Sequence, residues 1–138
     1  VFQLIKTIDN DLEDLSRYSS EIVYEVSSAV KELFEELKMI TSSILEGAGQ
    51  GTRNIYFNSY SYLMLWGITA GGWQMARSAR LADKLLKNFA PDSSLYEDKL
   101  LSCLHYSRQI LPHGASYAKV VKSKALPEKF LGKMFASD

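Results

Sequence analysis

The chain has 138 residues, 46% of them hydrophobic and 23% charged, enough for one globular domain that buries a core without disulfides or metal. Sixteen basic residues balance sixteen acidic ones, so net charge argues for neither nucleic acid nor a membrane surface. The single Cys103 excludes an internal disulfide and suits a reducing, cytoplasmic setting, and no apolar run approaches the roughly 20 residues of a membrane span.

Val1-Phe2-Gln3-Leu4 opens the chain without Met or a signal-peptide layout, the pattern expected of a piece of a longer protein. Apolar residues then recur at Ile5, Ile8, Leu12, Leu15, Ile22, Val26, Val30, Leu33, Leu37, Ile40 and Ile44. Steps of three and four mark one buried helical face. They predict a helix over 1–16 and a second over 20–46, with Ser19 as its N-cap and Glu21 in its first turn. The period nearly runs through the break, so one bent helix is an alternative. Gly47, Gly49 and Gly51 end the second helix.

A third helix is expected over 53–88, with Pro91-Asp92-Ser93-Ser94 as the turn after it. Ser93 or Ser94 would cap a fourth helix over 95–124, stopped by Leu126-Pro127 and kinked at Pro112, where a backbone hydrogen bond is lost. No stretch alternates with a period of two, so no strand is expected. The fold class is all-α: an antiparallel up-and-down four-helix bundle over 1–124, followed by a tail at 125–138.

Charge divides unevenly along the chain. Residues 1–46 hold ten acidic and four basic groups, and residues 47–138 hold six acidic and twelve basic. One reading is a basic patch of Lys119, Lys122, Lys124, Lys129 and Lys133 that meets phosphates or another subunit. The simpler one is that acidic early helices lie beside basic later ones.

No constellation carries chemistry. Metal sites in bundles use Glu-x-x-His pairs, and neither His105 nor His113 follows a glutamate at that spacing. Glu32, Glu35 and Glu36 read as a solvated face, and one Cys with two isolated histidines excludes a structural zinc. Gly47-Ala48-Gly49-Gln50-Gly51 follows a helix and lacks the Lys-Ser/Thr pair of a phosphate loop. Cys103, between Leu100 and Leu104, reads as a buried structural thiol, and His105 as a polar surface group or a single hydrogen-bond donor. No catalytic, metal or cofactor-binding residue is expected.

The densest signal lies in the third helix. Gly67, Gly71 and Gly72 each cost roughly 1 kcal/mol relative to alanine inside a helix, so close helix approach must offset them. Gly67 and Gly71 share one face, and Gly72, Ala76 and Ala79 form a second row of small residues. Leu63, Trp66, Ala70 and Trp73 follow a three-four spacing and are expected to fill the core, both tryptophans buried. A ligand groove lined by the tryptophans is the alternative.

These residues resemble a known family. Tyr62-Leu63-x-Leu65-x-Gly67, Ala70-x-Gly72-Trp73 and Arg77-x-Ala79 are similar to the C-terminal helical domain of acyl-CoA dehydrogenases. The branch is that of the acetyl-CoA-dehydrogenase-like and methylmercaptopropionyl-CoA dehydrogenases. Tyr96, Lys99-Leu100, Tyr106 and Leu111-Pro112 resemble the same domain's later helix, and the likeness covers residues 50–115 best. Met64 stands where the family usually has Arg, and Ser61 where it often has Pro.

The resemblance implies an oxidoreductase parent whose FAD-binding and acyl-CoA-binding domains precede this one. The catalytic glutamate of such enzymes lies in those domains, so none of the glutamates from Glu21 to Glu46 takes that role. No cofactor is expected in this piece. Its partners would be the preceding domains and further copies of itself, with acyl-CoA met only through the parent and no nucleic acid. Rival readings are a stand-alone helical interaction module and a bundle holding a small apolar ligand between its third and fourth helices.

Overall fold

A computed structural model describes residues 1–18, 20–47, 52–88 and 91–123, with side chains described from residue 58 onward in the third helix. The elements are α1 (Phe2–Ser16), α2 (Glu21–Gly47), α3 (Thr52–Lys87), α4 (Ser93–His105), a π-helical turn (Tyr106–Ile110) and α5 (Leu111–Lys122). The π turn joins α4 to α5 without a gap, so the architecture is an all-α four-helix bundle, with no strand among the described residues.

Two helices occupy the N-terminal third, not one bent helix. Arg17 closes α1, its N–H bonding to the Asp14 and Leu15 carbonyls. The Ser19 cap, Gly49, Gly51 and the tail at 125–138 fall outside the described residues. At the start of α4, neither Ser93 nor Ser94 acts as the cap. Asp92 takes a left-handed conformation (φ 70°, ψ 39°), which short polar side chains tolerate. Its carbonyl accepts from the N–H groups of Leu95 (3.0 Å) and Tyr96 (3.4 Å).

Pro112 acts differently from a simple kink. It stands in the first turn of α5, where its missing N–H matters least. The strain is taken up just before it, where the Leu111 N–H bonds to the Tyr106 carbonyl five residues back. One wide turn thus inserts a residue and lets the helix continue past the proline.

The core follows the apolar stripes of α1 and α2. Ile8, Leu12 and Leu15 meet Val23, Val26, Val30, Leu33, Phe34, Leu37 and Ile40, all buried. On α3 the buried stripe is Leu65, Thr69, Ala76 and Ala79, not the expected Leu63, Trp66, Ala70 and Trp73. Leu63 is 70% exposed, and both tryptophans are only half-buried at the edge of the core. The reason is rotational: α3 is apolar nearly all round over residues 60–73, so a three-four spacing can be drawn on more than one face.

Phe34 has the largest fully buried side chain. Phe34→Ala should therefore destabilise by about 3–5 kcal/mol. Urea denaturation with an unchanged slope and a midpoint shifted by less than about 1 kcal/mol equivalent would contradict that placement.

Candidate functional site

Among the described residues, small and aromatic side chains converge where α3 meets the π turn, α2 and α1, and they form a packing site. A Cβ added to Gly71 would lie 2.3 Å from the Tyr106 hydroxyl oxygen and 3.1 Å from its Cζ. That hydroxyl donates to the Ile68 carbonyl at 2.9 Å, and burial raises its pKa. The tyrosine therefore occupies the volume a side chain at Gly71 would need, and its hydrogen bond is directed at the backbone of α3.

Gly72 is filled from two sides. A Cβ there would meet Val30 Cγ2 at 2.9 Å and Leu111 Cδ2 at 3.3 Å. On α5, Gly114 plays the reciprocal part: its Cβ would lie 2.5 Å from Leu33 Cδ2 and 3.3 Å from Ile68 Cγ2. Gly67 departs from the expected close crossing, since a Cβ there meets nothing within 4 Å. It lies two positions from the buried stripe, on the side of α3 turned away from the other helices.

A second cluster ties α3 to α1. The Trp73 indole N–H donates to Asp11 Oδ2 at 3.1 Å, Arg77 Nε lies 3.6 Å from the same oxygen, and the Arg77 guanidinium sits 5.3 Å above the Trp73 ring. Trp73 is thus a half-buried side chain with its polar edge satisfied, as an aromatic at a helix boundary should be. Tyr106 and Leu111 fill the faces of α3 at Gly71 and Gly72.

The remaining expected positions have plain structural settings. Tyr62 shares a 2.8 Å hydrogen bond with Thr41, whose hydroxyl also donates to the Leu37 carbonyl at 2.8 Å. Tyr96 packs partly buried against the core, Lys99 and Pro112 are exposed, and Trp66 packs at the core's edge. Cys103 is buried, and burial pushes its thiol up against a smaller opposing pull from Lys99, which disfavours the thiolate. Among the described residues no group of three or more His, Cys, Asp or Glu could hold a metal ion. Also among them, no helix is long and apolar enough to cross a membrane.

Opposed charges pair across the two halves of the chain. Arg108 grips Glu25 through two bonds of 2.7 and 3.0 Å, and Lys122 pairs with Glu36. Partial burial pulls Lys38 down, but its bonds to Asp9 and Glu35 outweigh this and leave it raised. Of the expected basic patch, Lys122 is paired with Glu36 on α2, Lys119 is exposed, and Lys124, Lys129 and Lys133 lie outside the described residues.

Asp11 and Gly114 belong to this network but were not singled out in the sequence. Gly114 carried a usable signal, a glycine two positions after a proline inside a helical pattern; Asp11 carried none. The glycines yield a paired expectation. Gly67→Ala should stabilise by up to about 1 kcal/mol through helix propensity. Gly71→Ala should destabilise by about 1–2 kcal/mol, because overpacking and loss of the Tyr106 bond outweigh that gain. In a Tyr106→Phe background the Gly71→Ala penalty should shrink, giving a coupling of about 1 kcal/mol in a double-mutant cycle of melting curves. Additive effects would dissolve the lock between them.

The family described as acetyl-CoA dehydrogenase C-terminal like matches residues 4–127, nearly the whole chain. No curated protein matches it. The matched span takes in α1 from Leu4, the whole of α2 to α5, the crossings at Gly71, Gly72 and Gly114, and the Asp11–Trp73–Arg77 cluster. The chain belongs to the acetyl-CoA dehydrogenase C-terminal-like domain family.

Proposed function

We propose that this chain is the C-terminal structural and assembly domain of a FAD-dependent acyl-CoA dehydrogenase. It supports α,β-dehydrogenation of an acyl-CoA thioester by its parent and supplies no reacting group. The family match over residues 4–127 carries the reading. In that chemistry a glutamate removes the α-proton while hydride passes from the β-carbon to flavin, and both partners reside in the preceding domains. Three polar side chains of the domain are committed internally: the Trp73 N–H to Asp11, the Tyr106 hydroxyl to the Ile68 carbonyl, and the Cys103 thiol to the core. Its contribution is therefore shape, stability and subunit contact, in a cytoplasmic enzyme.

Two measurements test this. The isolated chain, titrated with FAD and with an acyl-CoA, should give no saturable heat and no rise in melting temperature. A ligand at about a hundred times its dissociation constant would instead add about 2.7 kcal/mol. The parent lacking residues 1–138 should melt lower or dissociate on size exclusion while keeping its flavin. Tight flavin binding by the isolated chain, or a truncated parent unchanged in activity, stability and assembly, would refute the proposal.

A further inference from the structure

The helix α4 is held differently from the rest of the bundle. Of its 13 residues only Leu100 and Cys103 are buried, while Leu95 and Leu101 are 61% and 60% exposed. Its start is not reinforced either: Asp92 is left-handed and its side chain makes no capping hydrogen bond. The other helices are tied to their neighbours by polar side chains. Asp9 and Asp11 of α1 bond to Lys38 and Trp73, Thr41 of α2 bonds to Tyr62 of α3, and Lys122 of α5 bonds to Glu36. Among the described residues, α4 has one such link, the 4.0 Å contact of the Cys103 thiol with the Met75 sulfur. A thiol is a weak donor and a thioether a weak acceptor.

Both flanks of this helix are anchored. Before it, the end of α3 is held by Leu86, packed against the core, and by Lys87, 5.1 Å above the Tyr18 ring. After it, Tyr106 clamps the π turn to α3 through the Gly71 face and the Ile68 carbonyl, and Arg108 clamps it to α2 through Glu25. α4 is thus a strap between two fixed points. Once off α3, a helix of 13 residues is marginal in water, so undocking and melting coincide. The break falls at the π turn, where the hydrogen bonding has already left the α-helical pattern.

We propose that α4 is a hinged strap that opens as one cooperative unit, between the end of α3 and the π turn, while α1, α2, α3 and α5 stay folded. Sub-global opening of this kind draws on segments with few buried apolar side chains and few bonds to the rest of the fold. α5 does not follow, although it continues the same helix, because Leu111 packs on the Gly72 face and Leu33 on the Gly114 face beyond the clamp. Opening uncovers the side of α3 at Met75 and the Cys103 thiol, which is fully buried in the closed state. The device keeps the single thiol of the chain hidden in the major state and presents it in a minor one.

That thiol is also the reporter, since no other cysteine competes with it. Labelling with dithiobis(nitrobenzoate), at concentrations where the rate is proportional to reagent, gives the open population relative to a free thiol. Cys103 should label at least about ten-fold faster than the globally unfolded population from urea denaturation allows, and with a shallower urea dependence. In a Cys103→Ala chain, the thiol introduced on α2 by Ser27→Cys, a fully buried position, should label only at the global rate and slope. Native-state amide exchange locates the hinge: amides of residues 97–103 should share the opening seen at Cys103, and those of 115–120 should exchange only on global unfolding. Cys103 labelling at the global rate with the full urea slope overturns the proposal. Labelling as fast as a free thiol overturns it too, since α4 would then not be docked. Opening shared by the amides of 115–120, or by the Ser27→Cys thiol, removes the hinge and overturns it as well.

Discussion

A methyl group missing at Gly71 sets the register of half the bundle. The space it leaves admits the Tyr106 hydroxyl, which bonds to the Ile68 carbonyl and fixes the π turn against α3. Tyr106 opens that turn, and the turn in turn absorbs Pro112. One residue after it, Leu111 falls onto Gly72 from one side as Val30 arrives from another, and three residues later Gly114 receives Leu33 and Ile68. Each contact presupposes the one before it. Moving the tyrosine by a helical position would carry Leu111 and Gly114 off their partners, leaving small residues facing empty space where dispersion contacts now lie. The glycines in the helix interior, costly by propensity alone, are retained because side chains of neighbouring helices replace the ones they lack.

Electrostatics serve this register more than they add to stability. The acidic first third and the basic remainder meet in named pairs: Asp11 with Arg77, Glu25 with Arg108, Glu36 with Lys122. Arg77, Arg108 and Lys122 remain about half exposed, and solvent-screened pairs of this kind add little to stability. What they do is discriminate. Sliding α5 along α2, or α3 along α1, would part these pairs, a cost that the packing of Leu and Val alone would not impose. The bidentate Arg108–Glu25 pair sits within the π turn, at the point where the helix register changes.

How much of this the sequence discloses depends on how one-sided each helix is. In α1 and α2 the apolar residues occupy one stripe, so period alone locates Ile8, Leu12, Val26, Val30, Leu33 and Leu37 in the core. In α3 the stretch around Leu63, Leu65, Trp66 and Ile68 is apolar in every direction, and periodicity cannot choose between the stripe through Leu63 and the one through Leu65. The choice is made by neighbours far away in sequence, and it falls on Leu65. Asp11 reads as one more acidic surface residue until Trp73 and Arg77, sixty residues on, turn toward it. The π turn is equally silent: Pro112 announces a disturbance, but which side of it yields depends on Tyr106 finding Gly71. Family membership was legible on different grounds, from particular aromatic, glycine and arginine positions whose physical roles the fold supplies afterwards.

The contrast between the two halves of α3 bears on what kind of unit this is. A domain that ends its duties at its own surface places charge on every outward face, because charge keeps copies apart and costs little in water. α3 does this only after Arg77. Its first half carries internal contacts on one side, through Leu65 and Thr69, and an uncharged outward side through Leu63 and Gly67. Internal packing accounts for the first side and places no demand on the second, since a lysine at Leu63 would meet only solvent in the isolated bundle. Internal packing thus fixes one side of α3 through Leu65 and Thr69 and leaves the composition of the side through Leu63 and Gly67 free.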